Sequence, residues 1–338
     1  MPTSESHDLQ SWECQQALNR HIRFSGPVLM RPWRSIKGDH AAAKPILAII
    51  VVALLITSTV GAYAILFASP GKGVGVGVGV GDIVKVDYIG EFADGRVFDT
   101  SIYSVANDSE VPKSLFFQMR GNETKYNPIE FKIGGYTMIT GFDQGVRGMK
   151  VGETKTFEVP VAQAYGDMDP ALKRTMQLEE TLPLEETMNK ATFKATFGED
   201  PVAFGEVKHV RLGITAYVQY DSSSEKARVS YVQGKAVGDE FKACDDSKGA
   251  YGWMVKITNI TSSNITIQHQ LTEDDAFMVR GYDKAGLSYT NPQTRRTEVK
   301  NDFYIDEVDA EAGTFVMNYN PETKGRVLTF TVTLVSVA

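Results

Sequence analysis

A glycine-rich run at residues 71–82, GKGVGVGVGVGD, is the first stretch whose composition suggests chemistry. Glycine-rich loops can cradle phosphate because their backbone N–H groups approach an anion closely. Such a cradle needs a strand before it, a helix after it and a Lys-Ser or Lys-Thr pair at its end. Here an apolar run precedes the repeat and an alternating run follows it. We therefore interpret residues 69–81 as a Gly/Val linker whose last steps run into the first strand.

Metal, cofactor and phosphate chemistry have little support elsewhere in the chain. The two cysteines, Cys14 and Cys244, and the five histidines show no C-x-x-C or H-x-x-x-H spacing. We therefore predict no metal site and no cofactor. The formal net charge of −7 provides no basic face that would neutralise phosphates, so the composition argues against nucleic acid as a partner.

The 338 residues, 42% of them hydrophobic, are enough for two domains with cores of their own. Residues 82–92 alternate in strand fashion, Asp94-Gly95 marks a hairpin turn, and residues 142–149 (FDQGVRGM) read as a short helix. Residues 171–197 read as one or two broken helices after Asp169-Pro170. Several β-rich runs follow between 207 and 271, before a final β pair.

Two hairpin-like pieces, residues 255–270 and 304–320, are similar in layout and lie nearly fifty residues apart. This similarity is compatible with an internal repeat, although β-hairpins resemble one another in general.

Residues 45–68, PILAIIVVALLITSTVGAYAILFA, form an uncharged apolar run. About 24 residues at about 1.5 Å each can cross a bilayer. The apolar region of a cleaved signal peptide, the alternative, has about 7–15 residues. We therefore predict one uncleaved transmembrane helix.

The charges around this span predict its orientation. The basic residues before it are Arg20, Arg23, Arg31, Arg34, Lys37 and Lys44. Only Lys72 follows within about a dozen residues, so the tail at 1–44 is expected in the cytoplasm. We predict a single-pass protein of the cell membrane whose residues from about 69 onward are extracytoplasmic. The N-x-[ST] tripeptides at Asn107, Asn122, Asn259 and Asn264 are compatible with this topology.

Three blocks follow one another along the chain: VKVDYIGEFADGRVFDTS (84–101), PIEFKIGGYTMITGFDQGVRGMKVGETKTFEVPVAQAYGD (128–167) and NPETKGRVLTFTVTLVSV (320–337). Together and in this order they resemble the FK506-binding-protein (FKBP) family of peptidyl-prolyl cis/trans isomerases. The resemblance implies an α+β fold, in which a bent antiparallel β-sheet wraps on a short helix. The expected isomerase domain comprises residues 82–166 and 316–338.

The roughly 150 residues before the last strand resemble, by position, the insert-in-flap of the prokaryotic and archaeal SlyD-like long type. We therefore expect residues 167–315 to form a large β-rich, chaperone-like insert domain. Its aromatic residues are Phe193, Phe197, Phe204, Tyr217, Tyr220, Tyr231, Tyr251 and Trp253. They either fill a core or form an exposed patch for non-native chains.

The family resemblance also implies roles for individual residues. Tyr88, Phe98, Asp99 and Tyr165 are the implied catalytic residues: Tyr88 lines the pocket, Phe98 is an aromatic wall, Asp99 is the family's single buried carboxylate, and the Tyr165 hydroxyl meets the substrate carbonyl. The implied substrate-binding residues are Ile129, Met138, Ile139, Phe142 and Phe330. Taken singly, these aromatic residues would more often be ordinary core residues.

Two positions depart from the family pattern. Phe142 stands where a tryptophan is frequent, and Ile129 stands where many members have another aromatic residue. Both changes reduce the aromatic surface, so we expect weaker binding of bulky inhibitors and a smaller effect on proline turnover.

The implied function is peptidyl-prolyl isomerisation that assists the folding of exported proteins. An apolar pocket can catalyse it without covalent or acid/base chemistry, because the barrier of about 18–20 kcal/mol comes from amide resonance. The expected partners are proline-containing unfolded or nascent polypeptides, together with the membrane through one helix. The alternative is an inactive FKBP-like scaffold whose insert serves surface binding or assembly.

Overall fold

The computed structural model describes residues 77–231, 234–246 and 251–338, which belong to one compact unit. No helix within these ranges is long and apolar enough to cross a bilayer. The tail predicted at 1–44, the span predicted at 45–68 and most of the linker predicted at 69–81 lie outside the described residues.

The first sheet has five antiparallel strands drawn from both sides of the expected insert. They are β1 (Ile83–Phe92), β2 (Val97–Thr100), β3 (Ile129–Lys132), β4 (Thr154–Val159) and β17 (Leu328–Val337). The strand order is β2-β1-β17-β4, and β3 pairs with the first half of β1 on the same side as β2. The central β1–β17 pair therefore joins two segments that are far apart in sequence.

Two short helices accompany this sheet, α1 (Tyr103–Asn107) after β2 and α2 (Thr140–Val146) between β3 and β4. The helix predicted at 142–149 overlaps α2, which directs Phe142 and Val146 into the core. A Cβ atom at Gly145 would lie 2.1 Å from the Phe157 ring, so the glycine lets α2 approach β4 closely. Single 3₁₀ turns occur at Glu123–Lys125, Val161–Gln163, Pro170–Leu172 and Glu273–Asp275.

Val78, near the end of the Val-Gly run, belongs to the first sheet's core and does not act as linker. Val78 is 5% exposed and packs with the core residues of this sheet. Its N–H donates to the Met149 carbonyl, and its own carbonyl accepts from Gly148. Backbone hydrogen bonds therefore hold residues 77–81, the described part of the linker expected at 69–81, against the first sheet's domain.

Three four-stranded antiparallel sheets share one topology within residues 167–318, which we name the insert module. The second sheet contains β5 (Lys173–Gln177), β14 (Arg280–Thr290), β15 (Thr297–Asp309) and β16 (Thr314–Asn318); the third contains β6 (Glu179–Pro183), β11 (Glu240–Ala243), β12 (Trp253–Ile260) and β13 (Asn264–His269); the fourth contains β7 (Glu185–Asn189), β8 (Phe204–Lys208), β9 (Thr215–Asp221) and β10 (Lys226–Ser230). Helix α3 (Lys190–Phe197) connects β7 to β8.

In each of these sheets three consecutive strands form a meander, and the last of them pairs with one segment of residues 173–189. The two hairpins of similar layout are β12–β13 and β15–β16, which occupy equivalent positions in the third and second sheets. The boundary expected at 315/316 falls inside β16, whose partners are β15 and β5.

The helices predicted across 171–197 are wrong for most of that segment. Residues 173–189 form β5, β6 and β7, and only α3 is helical. The physical reason is a two-residue repeat: Met176, Leu178, Leu182, Leu184 and Met188 all occupy even positions and turn inward. The other even positions between Met176 and Met188 are Glu180 and Glu186, which accept hydrogen bonds from His269 and Tyr231.

Most aromatic residues of the insert module fill its two cores. Phe193, Phe197, Tyr231 and Trp253 are each less than 10% exposed. Tyr217, Tyr220 and Tyr251 are half-buried, and Phe204 on β8 is 73% exposed. The core interpretation therefore holds for the four buried residues, and Phe204 is a surface aromatic.

His209 is a buried imidazole in the core between the third and fourth sheets. It is 4% exposed, its ring centroid lies 5.5 Å from that of Phe197, and its Nδ1 atom has no hydrogen-bond partner. Burial, reinforced by the positive charge of Arg211, lowers the pKa of His209 from its ordinary value to about 3. The folded chain therefore keeps His209 neutral where an unfolded chain would protonate it.

This difference predicts that acidification destabilises the fold. Because the folded pKa lies below the unfolded value of about 6.5, stability is complete above about pH 7 and falls as the pH drops. We expect the free energy of unfolding to fall by about 2 kcal/mol between pH 7 and pH 5 through this group alone. Urea titrations of the wild type and of His209→Phe check this result. An equal decrease in both proteins would contradict the assignment to His209.

Candidate functional site

An aromatic cluster lies at the centre of the first sheet's core. Phe142 is 1% exposed, and its ring centroid lies 5.0 Å from that of Phe330 and 5.9 Å from that of Tyr88, both edge-on. The half-buried Phe98 lies edge-on to Phe330 at 5.6 Å. Such edge-to-face pairs stabilise a fixed arrangement of rings. The structure thus brings together the four aromatic residues singled out for the pocket floor and wall.

Four elements position these rings. Tyr88 lies on β1 and Phe330 on the adjacent β17, where Gly90 stands opposite Phe330. Phe98 lies on β2, which pairs with the end of β1, and Phe142 comes from α2. Because β17 follows the insert module in sequence, the pocket is complete only when that strand joins the sheet.

A hydrogen-bonded polar triad borders the rings. The Tyr88 hydroxyl donates to Asp99 Oδ2 at 2.5 Å. Arg120 Nη2 donates to the Tyr88 hydroxyl oxygen and to Asp99 Oδ1, both at 2.6 Å. The Arg120 guanidinium also lies 5.9 Å from the Tyr88 ring centroid and 5.8 Å from that of Tyr126. Charge-assisted bonds of this kind fix the orientation of both the phenol and the carboxylate.

The protonation of Tyr88 follows from this arrangement. Burial, together with the charge of Asp99, raises the pKa of Tyr88 well above its ordinary value, although Arg120 opposes the shift. The phenol therefore stays protonated and acts as a donor throughout the physiological range. The expectation that Asp99 is a buried carboxylate is wrong, because its side chain is 45% exposed. Hydrogen bonds and the charge of Arg120 hold it in place.

The remaining predicted residues lie around the rings. Ile129, Met138 and Ile139 are half-buried and pack against the first sheet's core. Tyr165 is 47% exposed, and burial together with the nearby charge of Asp99 raises its pKa. About half of this side chain is thus open to solvent. The catalytic role of each residue stays a prediction.

Comparison with known proteins agrees with this geometry. Residues 77–194 match the family model of the FKBP-type peptidyl-prolyl cis-trans isomerases. We name the first sheet with its helices the FKBP-type domain, because β1 to β4 and α2 lie within the matched residues. The matched range begins at Gly77, consistent with the packing of Val78 into the core of this domain.

Individual relatives each match about a quarter of the chain. A short-type peptidyl-prolyl cis-trans isomerase of Methanocaldococcus jannaschii is 44% identical over 92 residues, which are 27% of this chain and 53% of the relative. FK506-binding protein 2 of Candida glabrata is 38% identical over 87 residues, which are 25% of this chain and 48% of the relative. Peptidyl-prolyl cis-trans isomerase FPR2 of Saccharomyces cerevisiae is 40% identical over 88 residues, which are 26% of this chain and 50% of the relative. The chain spans about half the length of these curated relatives.

Several residues of the FKBP-type domain's site were not found from the sequence. Arg120 lies in the irregular segment between α1 and β3, where no local pattern marks it. Phe131 and Phe157 contact Phe142 with centroids 5.8 and 6.1 Å apart. Tyr136, two residues before Met138 in the sequence, is 99% exposed and has a left-handed φ of 60°. Such strain in a residue with a side chain often accompanies function.

Gly90 is a further position that the sequence marks only as a glycine within a strand. A Cβ atom there would lie 2.6 Å from Phe98 Cζ and 3.1 Å from Phe330 Cε1. The glycine therefore leaves room for the two rings to meet over β1.

We expect Gly90→Ala to displace these rings and to lower the free energy of unfolding by about 1–3 kcal/mol, the usual cost of overpacking. Guanidinium unfolding measures the effect. Gly79→Ala is the matched control, because nothing lies within 4 Å of a Cβ atom at that position. Equal, near-zero costs for the two variants would contradict the close approach.

Proposed function

We propose that this chain is a peptidyl-prolyl cis/trans isomerase of the FKBP type. The observation that carries the proposal is the combination of a buried aromatic floor with a protonated, triad-held Tyr88 beside it. Such an apolar pocket favours the twisted form of the X-Pro amide, which has lost its resonance. A thousandfold acceleration needs only about 4 kcal/mol of preferential binding to the twisted amide.

The residues divide the task between them. Phe142 and Phe330 form the floor that receives the proline ring, and Phe98 forms a wall. The Tyr165 hydroxyl donates to the substrate carbonyl, and the half-buried Ile129, Met138 and Ile139 cover the neighbouring residue. No proton leaves the enzyme in this scheme, so the rate should be nearly independent of pH while the fold is intact.

The test is isomerisation of a short proline-containing peptide by the full chain. Wild-type protein should accelerate the reaction, Phe98→Ala should reduce kcat/KM strongly, and Tyr165→Phe should reduce it moderately. The absence of acceleration by folded wild-type protein would overturn the proposal and favour an inactive scaffold. Equal rates in wild type and both variants would overturn the assigned site.

We further propose that the insert module binds unfolded chains, as in SlyD-like proteins. The insert module lies between Tyr165 and β17 in the sequence, which supports this assignment. A surface hollow of about 320 Å³ on the fourth sheet also supports it. The hollow is lined by Thr187, Phe204, Gln219, Tyr220, Asp221, Lys226 and Arg228. Phe204→Ala should slow proline-limited refolding of a protein client and leave short-peptide turnover unchanged. Unchanged refolding would remove this role.

For the location of the activity we propose a membrane anchor at residues 45–68, with exported proteins as clients. The apolar run and the basic residues before it support this proposal. The full chain should then remain with membranes after alkaline carbonate extraction, and protease added outside should reach the FKBP-type domain. Release by carbonate would count against the anchor.

A further inference from the structure

The insert module contacts two segments of the first domain that lead to residues of the isomerase site. One segment is the β1–β2 turn, which leads directly into Phe98 and Asp99. The other is residues 113–120, which end at Arg120. A third group of contacts comes from residues 319–327, which we name the return segment because they lead back to β17. Each contact joins residues separated by more than 150 positions in the sequence.

The contact with residues 113–120 is made by Arg280 and Glu322. Arg280 Nη1 donates to the Leu115 carbonyl at 2.5 Å. The Phe116 N–H donates to Glu322 Oε2 at 3.3 Å. The Phe116 ring lies edge-on to the buried Tyr304, with centroids 6.4 Å apart. The backbone four to five residues before Arg120 is thus held from the insert side.

The inner side of the same segment is attached to β2. The Ser114 N–H donates to the Val97 carbonyl, and the Val97 N–H donates to the Pro112 carbonyl, both at 2.9 Å. At its far end, the Arg120 N–H donates to the Tyr126 hydroxyl. The segment is therefore clamped between β2 and the insert module before its guanidinium reaches Tyr88 and Asp99.

The contact with the β1–β2 turn is a buried charge cluster. Arg96 Nη1 donates to the Phe277 carbonyl at 2.5 Å, and its Nη2 pairs with Asp94. Glu322, 5% exposed, lies within 4 Å of Arg96 and Arg326. The Arg326 guanidinium lies 3.5 Å from the Phe92 ring centroid and 4.8 Å from that of Phe277.

We propose that Arg280 and Glu322 are positioning residues for the isomerase reaction, acting through Arg120 on the Tyr88–Asp99 pair. The inference rests on the proposed function and deepens it. It assigns the insert module a part in turnover of substrates too short to touch it. A deletion of the insert would accordingly impair the pocket itself, in addition to any loss of client binding.

The test uses the full chain and a short proline-containing peptide. Arg280→Ala should lower kcat/KM by about tenfold, because displacement of a site group by about an ångström costs one to two orders of magnitude. Glu322→Ala should act in the same direction, and Glu322→Gln should recover most of the rate, since its side-chain oxygen still accepts from Phe116. Arg296→Ala is the matched control, because this exposed arginine lies in the turn between β14 and β15 of the same sheet.

Two further measurements separate positioning from a loss of folding. Hydrogen exchange of the peptide 113–120 should quicken in Arg280→Ala while β1 and β17 stay protected. In a double-mutant cycle, Arg280→Ala should cost little once Arg120 is replaced by alanine, because its effect passes through that side chain. Should Glu322→Ala fail to fold, Arg280→Ala and its conservative variant Arg280→Lys carry the comparison alone.

The outcomes are distinct. A folded wild type without activity would overturn the proposed function and this inference with it. An active wild type whose rate is retained by Arg280→Ala, despite faster exchange at residues 113–120, would overturn the inference alone. Equal costs of Arg280→Ala with and without Arg120 would also overturn it.

Discussion

Replacing Phe142 with alanine should lower the free energy of unfolding by about 3–5 kcal/mol, the range found for buried aromatic residues. The ring is almost fully buried, and it contacts Tyr88, Phe131, Phe157 and Phe330 from one position on α2. Four rings would lose a common partner, and the sheet cannot collapse far enough to fill the space. Guanidinium unfolding followed by tryptophan and tyrosine fluorescence would measure this loss.

Phe204→Ala provides a control with the same chemistry. Its side chain is 73% exposed on β8, so we expect a change within about 0.5 kcal/mol. Phe142→Ala should also lower turnover, because Phe142 is the floor of the pocket. Phe204→Ala should leave short-peptide turnover unchanged, because Phe204 lies on β8 in the fourth sheet. Similar costs for the two substitutions would mean that α2 does not pack as described.

Removing the Asp99 carboxylate should lower kcat/KM for a short proline-containing peptide by about ten- to a hundredfold. The carboxylate accepts from both Tyr88 and Arg120, and a hydrogen bond to a charged group contributes about 1.5–3 kcal/mol. In Asp99→Ala the Tyr88 phenol would turn toward another acceptor, and Arg120 would lose its anchor. The expected loss is therefore one of orientation at the pocket.

Asp99→Asn tests this explanation. The amide retains an oxygen acceptor for Tyr88 and lacks the charge that attracts Arg120, so its rate should fall between those of the wild type and Asp99→Ala. Thermal unfolding of both variants should stay close to that of the wild type, because the side chain is 45% exposed. A wild-type rate in Asp99→Ala would exclude the triad from the reaction.

Much of the FKBP-type domain could be predicted because its residues occur in three nearly continuous blocks. Tyr88, Phe98 and Phe142 each belong to a local pattern of strand, turn or helix, and the structure brings them together as expected. Arg120 could not be found in this way. Its segment has no periodicity, and its partners become neighbours only when β1 and β2 pair.

The insert module shows the opposite difficulty. Residues 173–189 contain four Glu, three Leu and two Met residues, which favour helices. The alternation of apolar even positions from Met176 to Met188 is the stronger signal, since it matches the inward faces of β5, β6 and β7. Tertiary pairing with three different sheets overrides the helical preference of the composition. The contacts of Arg280 and Glu322 lie beyond any local pattern.

The nested pairing of the insert module has a consequence for the order of folding. Met188 on β7 lies opposite Ala227, Leu182 on β6 opposite Ile265, and Met176 on β5 opposite Phe315. The outermost pair is Tyr88 with Val332 on β17. Each inner pair shortens the loop that the next pair must close, which reduces its entropic cost.

We therefore expect closure to proceed outward from the fourth sheet, with β17 joining β1 last. Pulsed hydrogen exchange during refolding should show protection of β7 and β10 before β17, and simultaneous or reversed protection would contradict this order. Because Phe330 arrives with β17, the pocket would form only after the insert module has folded. The chain would then gain its activity in a single late step.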